Sequence, residues 1–244
     1  MVLRPKPRPW SVGEVLADLA ELACPPALQE RARITLWDDV TSEYDARLLS
    51  RHLGRLDLDL SPAFRAAERL WARDEASHSE GFLALYEALF DPGSRRARQL
   101  EARRADFRPL SHLFEDEFSI LVLLAYDELA TVRAFTANLP LYDGLGRAAG
   151  RFVRRVIADE AWHYSKFLAV AREGHAHRLP EAAGHVERVR AAEGGPYLNT
   201  FVLDHEGDGV WNDEIYDRAA EVLLGHLTGT EPGSNPTGTG AGGV

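Results

Sequence analysis

The chain has 244 residues, 45% of them hydrophobic, a formal net charge of −10 and a single cysteine, Cys24. That apolar content suffices for one substantial core and makes a second domain unnecessary, while the negative balance argues against nucleic acid as a partner. One cysteine excludes a disulfide framework and a thiolate metal site, and no stretch approaches the roughly 18 uninterrupted apolar residues of a membrane span, so a cytoplasmic protein that does not enter a membrane is expected.

The first ten residues, with Pro5, Pro7 and Pro9, read as an extended arm without the apolar run of a signal peptide. Ser11-Val12-Gly13-Glu14 has the form of a capping box and opens a short helix to about Ala23, which Pro25 and Pro26 interrupt. A long helix is predicted from about Ala27 to Leu53, with Gly54 as its left-handed stop. Its Ile34, Trp37, Val40, Tyr44 and Leu48 form an apolar stripe at helical spacing, and Glu43 sits inside the edge of that stripe, turned towards the core. Ser61-Pro62 opens a second long helix that runs to about Phe90, where Asp91-Pro92-Gly93 ends it. From Ser94 to Arg108, Arg95, Arg96, Arg98, Arg103, Arg104 and Arg108 face only Glu101 and Asp106, a local balance of +4. Such a run is either a solvated surface helix or a dock for an acidic partner.

Ser111 is placed to cap a third long helix, apolar on nearly all sides from Phe118 to Ala125 before it reaches Glu128, with Pro140 as its end. A fourth follows the Asp143-Gly144 turn and carries Val153, Val156 and Ile157 towards Arg172. Helices at about 180–193 and 212–227 complete one domain over 11–227, and residues 228–244, mostly Gly, Thr, Pro and Ser, read as a disordered tail.

Glu75-x-x-His78 and Glu160-x-x-His163 stand on the second and fourth of these helices. Residues three apart share a helix face, so carboxylate and imidazole reach one point in space. By chance such a pair is a solvated ion pair, but both copies here lie among apolar residues (Ala76 and Phe82; Ile157, Ala161 and Trp162). Glu43 lies 32 residues before Glu75, and Glu128 lies 32 residues before Glu160, so helix pairs repeat. Four helices then bring Glu43, Glu75, His78, Glu128, Glu160 and His163 into one bundle core, the four-Glu, two-His set of a ferritin-like di-iron carboxylate protein. The expected fold is therefore all-α, a ferritin-like four-helix bundle with additional short helices. Asp159 is placed to accept from the outer nitrogen of His78, and by the repeat Asp74 from that of His163; the alternative for both is plain exposure at the bundle surface.

The segments 74–78, Asp127-Glu128-Leu129-Ala130-Thr131 and 158–163 resemble the ligand helices of the soluble acyl-acyl-carrier-protein desaturases. The resemblance spans about residues 35–170 and is specific for the metal site, not for a substrate. It implies two iron ions, and it puts Thr131, three residues after the third-helix glutamate, beside them as the threonine that assists oxygen activation. Thr41-Ser42-Glu43 departs from the family's Thr-Glu-Glu, which leaves Asp39 as the alternative ligand one turn earlier. The chain length and Gly81-Phe82 resemble the aldehyde-deformylating oxygenases equally, and Phe82 occupies the place where a radical-bearing ribonucleotide reductase subunit holds its tyrosine. The resemblance implies a non-haem oxidase that uses O2 and an external electron donor to desaturate or hydroxylate an acyl chain or related small molecule. The substrate is expected on an acyl carrier protein, docked at Arg95, Arg96, Arg98, Arg103 and Arg104. A ferritin-like ferroxidase, an oxygenase of the aldehyde-deformylating or N-oxygenating type, and pairing into a homodimer all stay open.

Overall fold

The computed structural model describes residues 9–92, 96–205 and 209–229. Most of the N-terminal arm and of the C-terminal tail, and Arg95, lie outside the described residues. The described residues form helices and no strand: α1 (Val12–Val15), α2 (Gln29–Leu53), α3 (Pro62–Phe90), α4 (Ala97–Glu101), α5 (Glu117–Gly144), α6 (Arg147–Gly174), α7 (Ala182–Ala192) and α8 (Asp213–Thr228), with short 3-10 turns between them. Among them no helix is long and apolar enough to cross a membrane.

Four long helices make the bundle. α2 packs along α3 and α5 along α6, and the two pairs meet chiefly through α3 and α6. Gly81 permits that meeting, since a Cβ there would stand 2.2 Å from the Phe152 ring. α7 and α8 cover the outer side of α5.

Local signals set some helix ends and fail at others. The Ser61 hydroxyl accepts from Phe64 N at 3.1 Å and Pro62 takes the first helical position of α3, where a missing N–H costs nothing. The third long helix is capped by Asp116, not Ser111: Asp116 Oδ1 accepts from Ser119 N at 2.8 Å, and Ser111 lies in the 3-10 turn Arg108–Leu113. Pro140 does not end α5 but stands inside it. One backbone bond is lost there, and the burial of Leu141 and Tyr142, with the Tyr142 hydroxyl donating to Asp39 Oδ2 at 2.7 Å, holds the helix through. The chain reverses instead at Gly146, whose φ of 123° suits glycine alone. Gly54 ends α2 with φ −68°, a right-handed conformation and not the left-handed stop, because its N–H still bonds Ser50 O at 3.0 Å. Among the described residues of the arginine-rich stretch only Ala97–Glu101 is α-helical.

The core divides into two apolar clusters, one around Leu49, Phe64, Trp71, Phe118 and Phe167, the other around Leu36, Val40, Phe82, Phe135 and Phe152. Between them, at mid-length of the bundle, lies a buried polar layer.

Candidate metal centre

Each long helix gives this layer one step of its inward face. On α2 the face runs Val40, Glu43, Ala46; on α3 it runs Trp71, Glu75, His78, Phe82, and every one of these residues is buried. α5 supplies Glu128, α6 supplies Glu160 and His163, and all six side chains are 4% exposed or less. Their ligand atoms fall into two groups, each lying within 4.8 Å and able to hold a metal ion: Glu43, Glu75, His78 and Glu160, and Glu75, Glu128, Glu160 and His163. Glu75 and Glu160 belong to both groups. Asp39 belongs to neither and is engaged by Tyr142.

Imidazole orientation fits that use. His78 Nδ1 faces Glu160 Oε1 at 3.0 Å, Glu75 Oε2 at 3.3 Å and Glu43 Oε2 at 3.5 Å. His163 Nδ1 faces Glu160 Oε2 at 2.9 Å and, at 3.2 Å, both Glu75 Oε1 and Glu128 Oε2. One ring proton serves one acceptor well, not three, whereas a cation at the same point serves them all. Four carboxylate oxygens (Glu43 Oε2, Glu75 Oε1, Glu128 Oε1 and Glu160 Oε1) are buried with no aligned hydrogen bond, the orphaned acceptors expected of a metal site.

The outer nitrogens point the other way, to carboxylates. His78 Nε2 lies 3.5 Å from Asp159 Oδ2, and His163 Nε2 lies 3.4 Å from Asp74 Oδ2. A proton held on Nε2 by these aspartates leaves the Nδ1 lone pair for a cation. Asp159 also accepts 2.7 Å from Trp10 Nε1, and the Trp10 ring lies parallel to His78 within 5°. Asp74 is held from outside by Arg73 Nη2 at 2.7 Å. The sequence by itself places Trp10 in the arm and gives it no role; an indole two residues before the Val12 helix is the only signal.

Electrostatics record the crowding. Burial, then the neighbouring carboxylates, push Glu43 and Glu128 well above the usual carboxylate range. Glu75 and Glu160 stay low despite burial and repulsion, held by His78 and His163. Burial alone would lower both histidines, but Glu160 and Glu75 raise His78, and Glu128 and Asp74 raise His163. Four carboxylates packed together in a dry core need positive charge, and two divalent cations balance them.

Around the centre, Thr131 is half-buried and lines a narrow cleft of about 50 Å³ with Glu43, Asp38, Asn138 and Phe135. His205, missed in the sequence, closes the same cleft: it lies flat on Trp211 at 3.9 Å and bridges Asp127 (3.3 Å) and Glu193 (3.1 Å). Of the arginines, Arg96 donates to Gln99 at 3.1 Å and stands over the Trp37 ring, and Arg98 is exposed on α4. Arg103 turns inward to clamp buried Asp45, and Arg104 donates to the carbonyls of Glu101 and Arg103. None of these reaches the polar layer.

Comparison with protein-family models, curated proteins and solved structures finds no match to this chain. The buried Glu–His layer, with two overlapping groups able to hold metal, is what the chain itself provides.

Proposed function

We propose that this protein is a ferritin-like, non-haem di-iron oxidase acting on an acyl chain or related small molecule. One observation carries the reading: the two donor groups share Glu75 and Glu160, so the six residues would hold two neighbouring ions, Glu43 and His78 serving one and Glu128 and His163 the other. Oxygen donors with one imidazole per ion, and no thiolate, suit iron. Iron held there would supply the reduction of dioxygen that attack on an unactivated C–H bond requires, given an external electron donor.

The chain's own part is positioning. Asp159 and Asp74 hold the Nε2 protons, the two apolar clusters flank the layer on either side, and Thr131 lines the cleft beside Glu43, where its hydroxyl serves as a proton relay. A second, largely apolar cavity of about 360 Å³ reaches Glu43 between α2, α3 and α4. It favours an organic substrate over the rival reading, a ferroxidase that handles iron alone. Delivery on an acyl carrier protein is one route to such a site, and the exposed Arg98 and Arg104 supply cations for it.

Anaerobic ferrous loading tests the proposal. The parent should take up about two iron ions per chain, and Glu128→Ala or His163→Ala should take up fewer, since each removes a donor the remaining set cannot replace. Full occupancy in both variants sinks the di-iron reading. Oxygen consumed with iron but never coupled to an organic substrate points to the ferroxidase.

A further inference from the structure

Arg47 and Arg51 stand one turn apart at the end of α2, a pair of like charges that is unfavourable by itself, and Arg55 follows in the turn just beyond the helix. With Arg103, Arg104 and Arg108 opposite, they line a cleft of about 690 Å³. Within it Arg103 pairs with Asp45 and Arg108 with Asp106, but among the described residues Arg47, Arg51, Arg55 and Arg104 form no ion pair. Among the described residues Glu101 is the one acidic residue of the lining. Arg47 is held in place, its guanidinium 3.3 Å over the Tyr44 ring and its Nη2 donating to Leu100 O at 3.2 Å. So many unpaired guanidinium groups facing one concavity, on a chain of net charge −10, make a local site for an anion.

That cleft adjoins the apolar cavity at the polar layer, for Arg47 and Glu101 line both. Beyond Arg47 the cavity is walled mainly by Ala72, Leu83, Ala97 and Leu100, with exposed Glu80 and the buried Ser79 hydroxyl also in its lining, and it reaches Glu43. Both volumes lie in the range of small-molecule sites. We propose that the arginine cleft seats the phosphate head of a free amphiphilic substrate whose alkyl chain lies in the cavity beside Glu43. A phosphate monoester offers two negative charges and oxygens that guanidinium groups bind bidentately, which a carboxylate or a neutral head matches less well. The fate of the chain rests on the oxidase reading; the binding site does not.

Octyl phosphate, octanol and inorganic phosphate are the probes, titrated calorimetrically into the full chain with and without iron. Octyl phosphate should bind at least about tenfold more tightly than octanol, as charge-assisted hydrogen bonds predict. Arg51→Gln combined with Arg55→Gln, both exposed, should remove that preference and leave octanol binding unchanged. Ala76→Phe, at an exposed position of the cavity wall, should weaken both alkyl ligands and spare inorganic phosphate. Equal affinity for octyl phosphate and octanol, or a preference that survives the double arginine variant, overturns the proposal. No binding of octyl phosphate at all overturns it too, and leaves the arginines to a carrier protein. Failure to load iron with this pattern of binding intact sinks the oxidase reading alone.

Discussion

Trp10 Nε1 donates a 2.7 Å hydrogen bond to Asp159, 149 residues along the chain, and the same indole lies parallel to His78. One aromatic ring therefore holds the carboxylate by a hydrogen bond and lies alongside the imidazole of the same pair, the ring centroids 6.1 Å apart. Trp10→Phe keeps a ring against His78 but removes the N–H. Iron affinity, measured by competition with a chelator, should fall about 10–100-fold, as for other partners that orient a metal-ligating histidine. Unchanged affinity would mean that Asp159 orients His78 unaided.

Thr131 lines the narrow cleft beside Glu43. Thr131→Val exchanges a hydroxyl for a methyl of similar volume, so iron content and fold should be kept. If the hydroxyl relays protons, turnover should drop by about 10²-fold or more of the oxygen consumed should appear as hydrogen peroxide. Unchanged rate and coupling would make Thr131 a structural residue bonded to its own helix.

His205 sets a pH dependence. Burial alone would lower its pKa, but hydrogen bonds to Asp127 and Glu193 raise it to about 9, above the ordinary value near 6.5. A histidine raised on folding stabilises fully below the unfolded value and loses that contribution as pH rises through the folded one. The parent should thus lose on the order of 2–3 kcal/mol between about pH 6.5 and pH 9.5 relative to His205→Gln. Urea unfolding of both proteins across that range measures the difference, and parallel curves would show His205 to be neutral when folded.

Five of the six polar residues of the layer were legible from three-residue spacing within each pair and the 32-residue interval between partners, whereas the first-helix ligand stayed open between Glu43 and Asp39 until the helices packed and Tyr142 engaged Asp39. What crosses the bundle was not legible. Trp10 and Asp159, or Arg103 and Asp45, meet only after the helices pack, and no local pattern announces either pair. Pro140 and Ser111 misled for the opposite reason, being strong local signals that tertiary contacts overrule. Tyr142 and Leu141 keep α5 helical past its proline. At the other end of α5 the chain enters the core at Glu117 and Phe118, both buried, so the cap falls to Asp116 directly before them, while Ser111 stays in the preceding 3-10 turn.

The polar layer parts two apolar clusters that share four unbroken helices. Each cluster has its own aromatic interior, so the two halves of the bundle are joined by the continuous helices and by the layer. Ions held by the two donor groups would tie all four helices at mid-length and should make thermal unfolding a single two-state transition. Chelation should break that coupling, leaving a broadened or double calorimetric transition whose van't Hoff enthalpy falls below the calorimetric one. The metal would then determine the cooperativity of this protein as well as its chemistry.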